Sequence, residues 1–181
     1  MKLIKYIFLL SLLVSCHNSS KKESKKIAEA QIVKPEEIKD LINQSLDNWH
    51  KAAAEANFNA YFDLMTKKGV FLGTDATENW QNEAFRTFSK PYFDNGKAWS
   101  FTSVERNIYL YKDNKIAWFD ELLDTQMKLC RGSGVMKLED GKWKIAHYVL
   151  SIAIPNENVE TVVELKSKSD SLYLKKLQFK R

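Results

Sequence analysis

Four consecutive runs with a two-residue period fill the middle of the chain and constrain its fold more than any other feature. They lie at about residues 99–112, 115–126, 129–139 and 142–154, and this alternation predicts β-strands with one buried face. Asp113-Asn114 and Asp140-Gly141 separate two pairs of runs, and both have the composition that two-residue type I′ hairpin turns prefer. The sequence therefore predicts an antiparallel sheet of adjacent hairpins.

The two hairpin turns also predict which residues lie opposite each other. A two-residue first loop places Arg106 opposite Glu121, and a two-residue second loop places Ser133 opposite Tyr148. This register sorts the side chains onto two faces of the sheet. The face expected to pack under helices collects Val104, Arg106, Ile108, Leu110, Ala117, Phe119, Glu121, Leu123, Val135, Ala146, Tyr148, Leu150 and Ile152.

The opposite face of the predicted sheet is too aromatic and aliphatic to be bare surface. A contiguous apolar patch on a soluble domain usually marks an interaction site, so we expect a homodimer through this face. Its apolar residues and histidine are Trp118, Leu122, Met136, Leu138, Trp143, Ile145 and His147.

Three helical segments precede the strands. Pro35-Glu36-Glu37 suits the first turn of a helix, because proline fits the first position and acids favour the positive helix end. Helical spacing of apolar residues predicts that this helix runs on through residues 50–57, and two shorter helices follow around residues 58–65 and 85–95. Helices followed by a meander predict an α+β domain at residues 35–158, with a helical tail at 159–181 packed partly on it.

The N-terminal residues indicate export. Residues 1–15 combine lysines with a short apolar core, which predicts a secretory signal rather than a membrane span. Leu13-Val14-Ser15-Cys16 resembles a bacterial lipobox, which implies a lipid on Cys16 and anchoring in the cell envelope, with the outer membrane favoured. Residues 16–34 form a lysine-rich tether. Cys130 then has no disulfide partner, and we expect it to act as a small apolar residue.

The charge distribution argues against nucleic acid as a partner. The chain has 28 Lys and Arg against 23 Asp and Glu, but residues 35–154 have 15 basic and 17 acidic side chains. The excess of positive charge therefore lies on the two ends, where it suits weak attraction to anionic lipid.

Arg106, Glu121 and Tyr148 form the sharpest candidate site. An ion pair on an otherwise apolar face is costly to desolvate, so the group is either a ligand-binding pocket floor or a structural pair. Glu121 is the candidate acid or base, with Tyr148 or Arg106 polarising a carbonyl. With Phe119 on the same face, and Trp80 at the helix–sheet junction, these residues are also the candidate ligand contacts.

The segment 71–80, FLGTDATENW, has two interpretations. Asp75-x-x-Glu78 matches a capping box at the start of a helix, and this structural role is the favoured interpretation. The alternative is that the segment contacts a ligand at the rim of a pocket. His50 is expected on the surface of the first helix, and His147 on the outer sheet face. No spacing of His, Cys, Asp or Glu matches a metal site, and Gly132-x-Gly134 lacks the context of a dinucleotide loop, so no metal or cofactor is expected.

Four segments carry a family resemblance: DNWHKAAAEANFNAYFDLM, FLGTDATENW, IAWFDELLD and CRGSGVMKLEDGKWKIAHYVLSIAIPNE. They resemble the SnoaL-like domains of the nuclear transport factor 2-like, cystatin-like superfamily over about residues 35–158. The resemblance implies a cone formed by a curved antiparallel sheet packed on N-terminal helices. Its members include cyclases, isomerases, dehydratases and non-catalytic modules, so it leaves open whether this chain is an enzyme.

The sequence as a whole favours an envelope lipoprotein that binds a small, largely apolar molecule in the pocket of the cone. The alternatives are a cofactor-independent isomerase, cyclase or hydrolase using Glu121, and a non-catalytic protein-interaction module.

Overall fold

The computed structural model describes residues 34–179. The predicted signal, Cys16 and nearly all of the tether lie outside the described residues. None of the helices within 34–179 is long and apolar enough to cross a membrane.

Three helices precede the four-strand meander, as predicted, and two further strands of the same sheet lie between the second and third of these helices. Among the described residues, the helices are α1 (Pro35–Ala54), α2 (Phe58–Asp63), α3 (Asn82–Asp94) and α4 (Val159–Gln178), with a 3₁₀ turn at Asn156–Asn158. The strands in the same part of the chain are β1 (Met65–Leu72), β2 (Asn79–Gln81), β3 (Phe101–Leu110), β4 (Ile116–Thr125), β5 (Lys128–Glu139) and β6 (Lys142–Ile152).

The six strands form one curved sheet in the order β2-β1-β6-β5-β4-β3. All neighbours are antiparallel except β1 and β6, which run parallel. Helices α1, α2 and α3 cover the concave side, because each presents an apolar stripe to it. In α1 that stripe includes Ile42, Leu46 and Trp49, none of which has any exposed surface. The fold is the α+β cone that the sequence predicted.

The first hairpin keeps the predicted register with a different turn. Arg106 lies opposite Glu121, but only Asn114 in this loop has a positive φ, of 52°. A hydrogen bond from Tyr111 N to Ile116 O closes the loop, which therefore spans residues 112–115 instead of two residues. The strands on either side keep the predicted register. The second turn is the predicted type I′, with positive φ at both Asp140 and Gly141.

The predicted pairing of Ser133 with Tyr148 is wrong, because Ala146 forms a β-bulge. Met136 pairs with Ile145, and beyond the extra residue Val135 pairs with His147. A bulge shifts every later side chain by one position. Tyr148 therefore lies opposite Gly134.

The bulge and the sheet pairing also correct the predicted faces. Met136, Trp143 and Ile145 were placed on the outer face but are buried in the core, and Leu138 packs against it. Conversely, Val135, which the sequence predicts on the inner face, points outward like every second residue of β5. Val104, predicted to be buried, is 60% exposed because it forms a second bulge, in β3. Trp118, Leu122 and His147 remain on the outer face.

The predicted packing of the tail on the domain is also wrong. Helix α4 has 20 residues, and none of them is buried. Leu165 is 80% exposed, and the main contacts of the helix are with the 3₁₀ turn that leads into it. The helix therefore depends on interactions between residues near each other in the sequence, and it does not contribute to the core.

Candidate functional site

Glu121 lies in the middle of β4 and has no exposed surface. Its Oε2 accepts a hydrogen bond from Arg106 Nε at 2.9 Å. Its Oε1 accepts from the Tyr148 hydroxyl at 3.0 Å and lies 2.9 Å from His50 Nε2. An ionised carboxylate can only accept, so the His50 Nε2 donates. Both oxygens of the buried carboxylate are thus satisfied.

Each partner of Glu121 arrives from a different element. The hairpin register supplies Arg106, helix α1 supplies His50, and the bulge in β6 turns Tyr148 inward. Gly132 lies opposite Glu121 on β5. A Cβ at Gly132 would clash with the Tyr148 hydroxyl and would lie 3.0 Å from Glu121 Cγ. The absence of a side chain at Gly132 therefore leaves space for Tyr148 and Glu121.

The electrostatics of the cluster keep the carboxylate charged and the phenol neutral. Burial by itself would raise the pKa of Glu121, but the His50 hydrogen bond and the charges of His50 and Arg106 outweigh it and lower this pKa below its ordinary value. Burial, and then the adjacent Glu121 charge, raise the pKa of Tyr148 well above 10.0. Glu121 is therefore a fixed anion.

Arg106 joins the sheet to helix α1. Its Nη1 donates to Asp47 Oδ1 at 2.8 Å and to the backbone and side-chain oxygens of Asn43. Its Nη2 is buried without a hydrogen-bond partner among the described residues. This geometry holds the helix to β3.

The predicted site residues separate into two groups. The structure brings Arg106, Glu121 and Tyr148 together, with the Phe119 ring centroid 6.0 Å from that of Tyr148. None of these four lines either of the two pockets described below, whereas Trp80 does. Their roles as ligand contacts or catalytic groups stay predictions.

His50 is the member of the Glu121 cluster that sequence reasoning missed, because it is expected from the sequence on the helix surface. It is 5% exposed. A signal was present: His50 lies four residues after the core residue Leu46, on the same face of α1. The His147 side chain is half-buried on the outer face, as expected.

A pocket of about 120 Å³ opens at the mouth of the cone, and we call it the mouth pocket. The loop of residues 73–78 forms one wall, α3 another, and the β4–β5 turn a third. Its lining residues are Phe71, Gly73, Thr74, Glu78, Trp80, Phe85, Phe88, Trp99, Phe101, Gln126, Met127 and Leu150.

The capping-box reading of the loop is wrong, because the loop leads into strand β2 and helix α3 begins only at Asn82. The side chains still bond locally. Asp75 Oδ1 accepts from Thr77 N at 2.8 Å, and Glu78 Oε2 accepts from Asp75 N at 3.3 Å. The bonds from the Thr77 hydroxyl and backbone lower the pKa of Asp75. A Cβ on Gly73 would clash with the Glu78 carboxylate, so the glycine lets Glu78 fold over the pocket.

A second, wider pocket of about 320 Å³ lies beside α1, and its lining is more polar. Asp47, His50 and Lys51 line it from the helix, and residues 100–103 line it from β3 and the preceding segment. His50 therefore stands between this pocket and the buried Glu121.

Cys130, which the sequence predicts to act as a small apolar residue, is a free thiol. It is fully buried, with its Sγ 3.5 Å from Thr125 Oγ1. Within residues 34–179, no group of three His, Cys, Asp or Glu side chains is placed to hold a metal ion.

Helices on the concave side of a curved sheet, with an apolar pocket at the mouth, define a cone-shaped α+β domain of the nuclear transport factor 2-like class. Residues 42–155 match the SnoaL-like domain family. The chain belongs to that family.

Solved structures confirm the fold at low sequence identity. A nuclear transport factor 2-like protein from Cytophaga hutchinsonii is 16% identical, with a TM-score of 0.54 over 64% of this chain and 98% of that one. A similar protein of unknown function from Pseudomonas putida is 13% identical, with a TM-score of 0.53 over 65% and 87%. A cystatin-like protein of unknown function from Nostoc punctiforme is 12% identical, with a TM-score of 0.51 over 64% and 90%. No curated protein matches the chain.

Proposed function

We propose that this protein binds a small, largely apolar molecule in the mouth pocket and does not convert it. The observation that supports this most strongly is the lining of the pocket. Six aromatic side chains, Met127 and Leu150 surround a space of about 120 Å³. An apolar cavity of about 150 Å³ holds a benzene molecule, so the pocket suits a ligand of a few heavy atoms or one end of a larger molecule.

The state of Glu121 weighs against the enzyme alternative. A general acid or base works best with a pKa near the operating pH, whereas the partners of Glu121 lower its pKa. Its oxygens also already accept three hydrogen bonds. The cluster instead provides a rigid floor beneath the aromatic residues.

The anchor and the dimer are part of the same proposal. A lipid on Cys16 would hold the domain at the envelope membrane by the tether of residues 16–34. The outer sheet face would join two copies, because Tyr109 and Trp118 stack there with 44% and 46% of their surfaces exposed.

Ligand binding in the mouth pocket is tested by a substitution that fills the pocket with a larger side chain. Ligand-observed NMR with indole, p-cresol and cyclohexanol would be recorded on the purified full-length chain in a maltoside detergent. Met127→Trp places a large ring in the pocket wall, and we expect it to abolish binding of these fragments. Leu129→Trp is the matched control, because Leu129 is 47% exposed two residues further on and does not line the pocket. Binding that is absent in the native chain, or that survives Met127→Trp unchanged, contradicts the proposal.

A further inference from the structure

The mouth pocket carries an unequal distribution of charge. Among its lining residues, Glu78 is the one charged side chain, and no lysine, arginine or histidine reaches the lining. The nearest basic groups on α3 face elsewhere: the Arg86 guanidinium lies over the Phe62 ring, 4.7 Å from its centroid, and the Lys90 ammonium lies over Phe58. The lining itself therefore has a formal charge of −1, from Glu78.

The aromatic lining has the same electrostatic preference. Aromatic faces carry negative charge density and attract cations, tryptophan most strongly. Phe85 lies stacked between Phe71, at a centroid distance of 4.2 Å, and Trp99, at 5.7 Å, so other rings cover both of its faces. Trp80 and Phe88 stack on each other at 4.8 Å, which uses one face of each ring and leaves the second face of each for a cation. The six rings of the lining are those of Phe71, Trp80, Phe85, Phe88, Trp99 and Phe101.

Glu78 has spare capacity to accept from a ligand. Its carboxylate accepts one backbone N–H, at the long distance of 3.3 Å. None of the ion pairs within residues 34–179 involves it. A carboxylate has about four lone-pair sites, so most of its capacity is unused.

A neutral apolar ligand and a cation would affect Glu78 differently. A neutral ligand would remove water from the carboxylate without replacing it, which is unfavourable. A cation with an apolar surface would fill the same volume, contact the ring faces and offset the negative charge. An anion would meet repulsion from both the rings and the carboxylate.

We propose that the mouth pocket recognises a small organic cation, a methylated or quaternary ammonium group, through the aromatic rings and Glu78. This inference rests on the proposed binding function and specifies the ligand class for the same pocket. The volume of about 120 Å³ suits a trimethylammonium group rather than a longer molecule as a whole.

The test compares two probes of nearly equal shape that differ in charge. Choline and 3,3-dimethylbutan-1-ol would be titrated against the purified full-length chain in a maltoside detergent by isothermal calorimetry. We expect choline to bind about tenfold more tightly than its neutral isostere, as befits a partly desolvated cation–π site. Glu78→Gln keeps an acceptor for Asp75 N and should remove most of that preference. Glu83→Gln, an exposed glutamate on α3 outside the pocket, is the matched control.

The outcomes separate this inference from the function on which it rests. Equal binding of the two probes, or tighter binding of the neutral one, overturns the cation assignment and leaves a pocket for neutral molecules. Binding of neither probe, together with no binding of indole, p-cresol or cyclohexanol, overturns both proposals. A preference for choline that Glu78→Gln leaves unchanged overturns the role of Glu78. Thermal unfolding of each variant identifies any that fails to fold.

Discussion

At the scale of single residues, the buried carboxylate of Glu121 is held by three side chains. A buried carboxylate is costly unless charges and hydrogen-bond donors surround it. Arg106, His50 and Tyr148 together meet that requirement. A satisfied polar network in a low-dielectric interior fixes the relative positions of its members, and here those members belong to α1, β3, β4 and β6.

Glu121→Gln should destabilise the domain by about 3 kcal/mol, because removing one partner of a buried ion pair leaves the other uncompensated. Arg106 keeps its bond to Asp47, which holds the cost at the lower end of the usual range. Asp124→Asn, on an exposed side chain of the same strand, should change stability by less than about 0.5 kcal/mol. Urea unfolding at neutral pH measures both; equal midpoints for native protein and Glu121→Gln would contradict the structural role.

Acid should remove the contribution of Glu121. Its pKa is lowered in the folded state, so its stabilising effect is complete above the unfolded pKa of about 4.3. That effect is lost as the pH falls from there through the lower folded pKa. Between about pH 5 and pH 3 the native protein should therefore lose stability more steeply than Glu121→Gln. Parallel stability curves for the two proteins over this range would show that Glu121 titrates alike in both states.

At the scale of elements, β5 illustrates how a strand is fitted to its neighbours. Its glycines face the core where larger groups need space: Tyr148 and Glu121 at Gly132, and the Phe119 ring at Gly134. Glycine weakens a strand by itself, so its presence in the middle of the sheet is explained by this close approach.

Gly132→Ala should destabilise the domain by about 1–3 kcal/mol, the usual effect of overpacking a core. The added methyl group would push Tyr148 away from Glu121. Ser133→Ala, on the next residue and the opposite face, serves as the control. Thermal unfolding compares them, and a Gly132→Ala protein as stable as the control would show that the cluster yields without cost.

Helix α4 shows the opposite situation, an element without tertiary support. Most of the stability of helices in proteins comes from packing of an apolar face on the rest of the domain, and no residue of α4 is buried. Deleting residues 159–181 should therefore leave the unfolding temperature of the domain unchanged within about 2 °C. A large fall in that temperature would mean that the helix packs on the domain or on a second copy.

At the scale of the whole molecule, the proposed dimer uses a smaller apolar face than the sequence predicted. Met136, Trp143 and Ile145 belong to the core, and the stacked pair of Tyr109 and Trp118 remains on the outer face of the sheet. Trp118→Glu should convert the proposed dimer into a monomer without unfolding it, because the residue contacts solvent in the single chain. Light scattering measures the mass of both proteins. A native chain that is already monomeric contradicts the proposal.

The proposed membrane anchor depends on one residue. Cys16→Ala removes the lipid acceptor, so the protein should move from the membrane fraction to the soluble fraction of cells after ultracentrifugation. The control is Cys130→Ala, which changes a buried cysteine of the domain. Retention of Cys16→Ala on membranes would refute the lipid anchor.

The sequence by itself determined the features that depend on near neighbours. Alternating side chains gave the strands of the meander, the Asp140-Gly141 turn gave one hairpin, and the pairing of Arg106 with Glu121 followed from the first hairpin. The start of α1 at Pro35 was also predictable, because it follows from the proline and the two acidic residues of the first turn. These features were predictable because turn chemistry and periodicity act within a few residues.

Only the tertiary structure decided the features that depend on distant contacts. The bulge at Ala146 lets Ile145 and Tyr148 both face the core, and nothing in the local pattern requires that solution. His50 joins Glu121 across 71 positions of sequence. The mouth pocket exists because the β4–β5 turn and the loop of residues 73–78 meet over the aromatic rings. These features depend on how side chains from distant parts of the sequence pack together in one interior, and local propensity does not determine that packing.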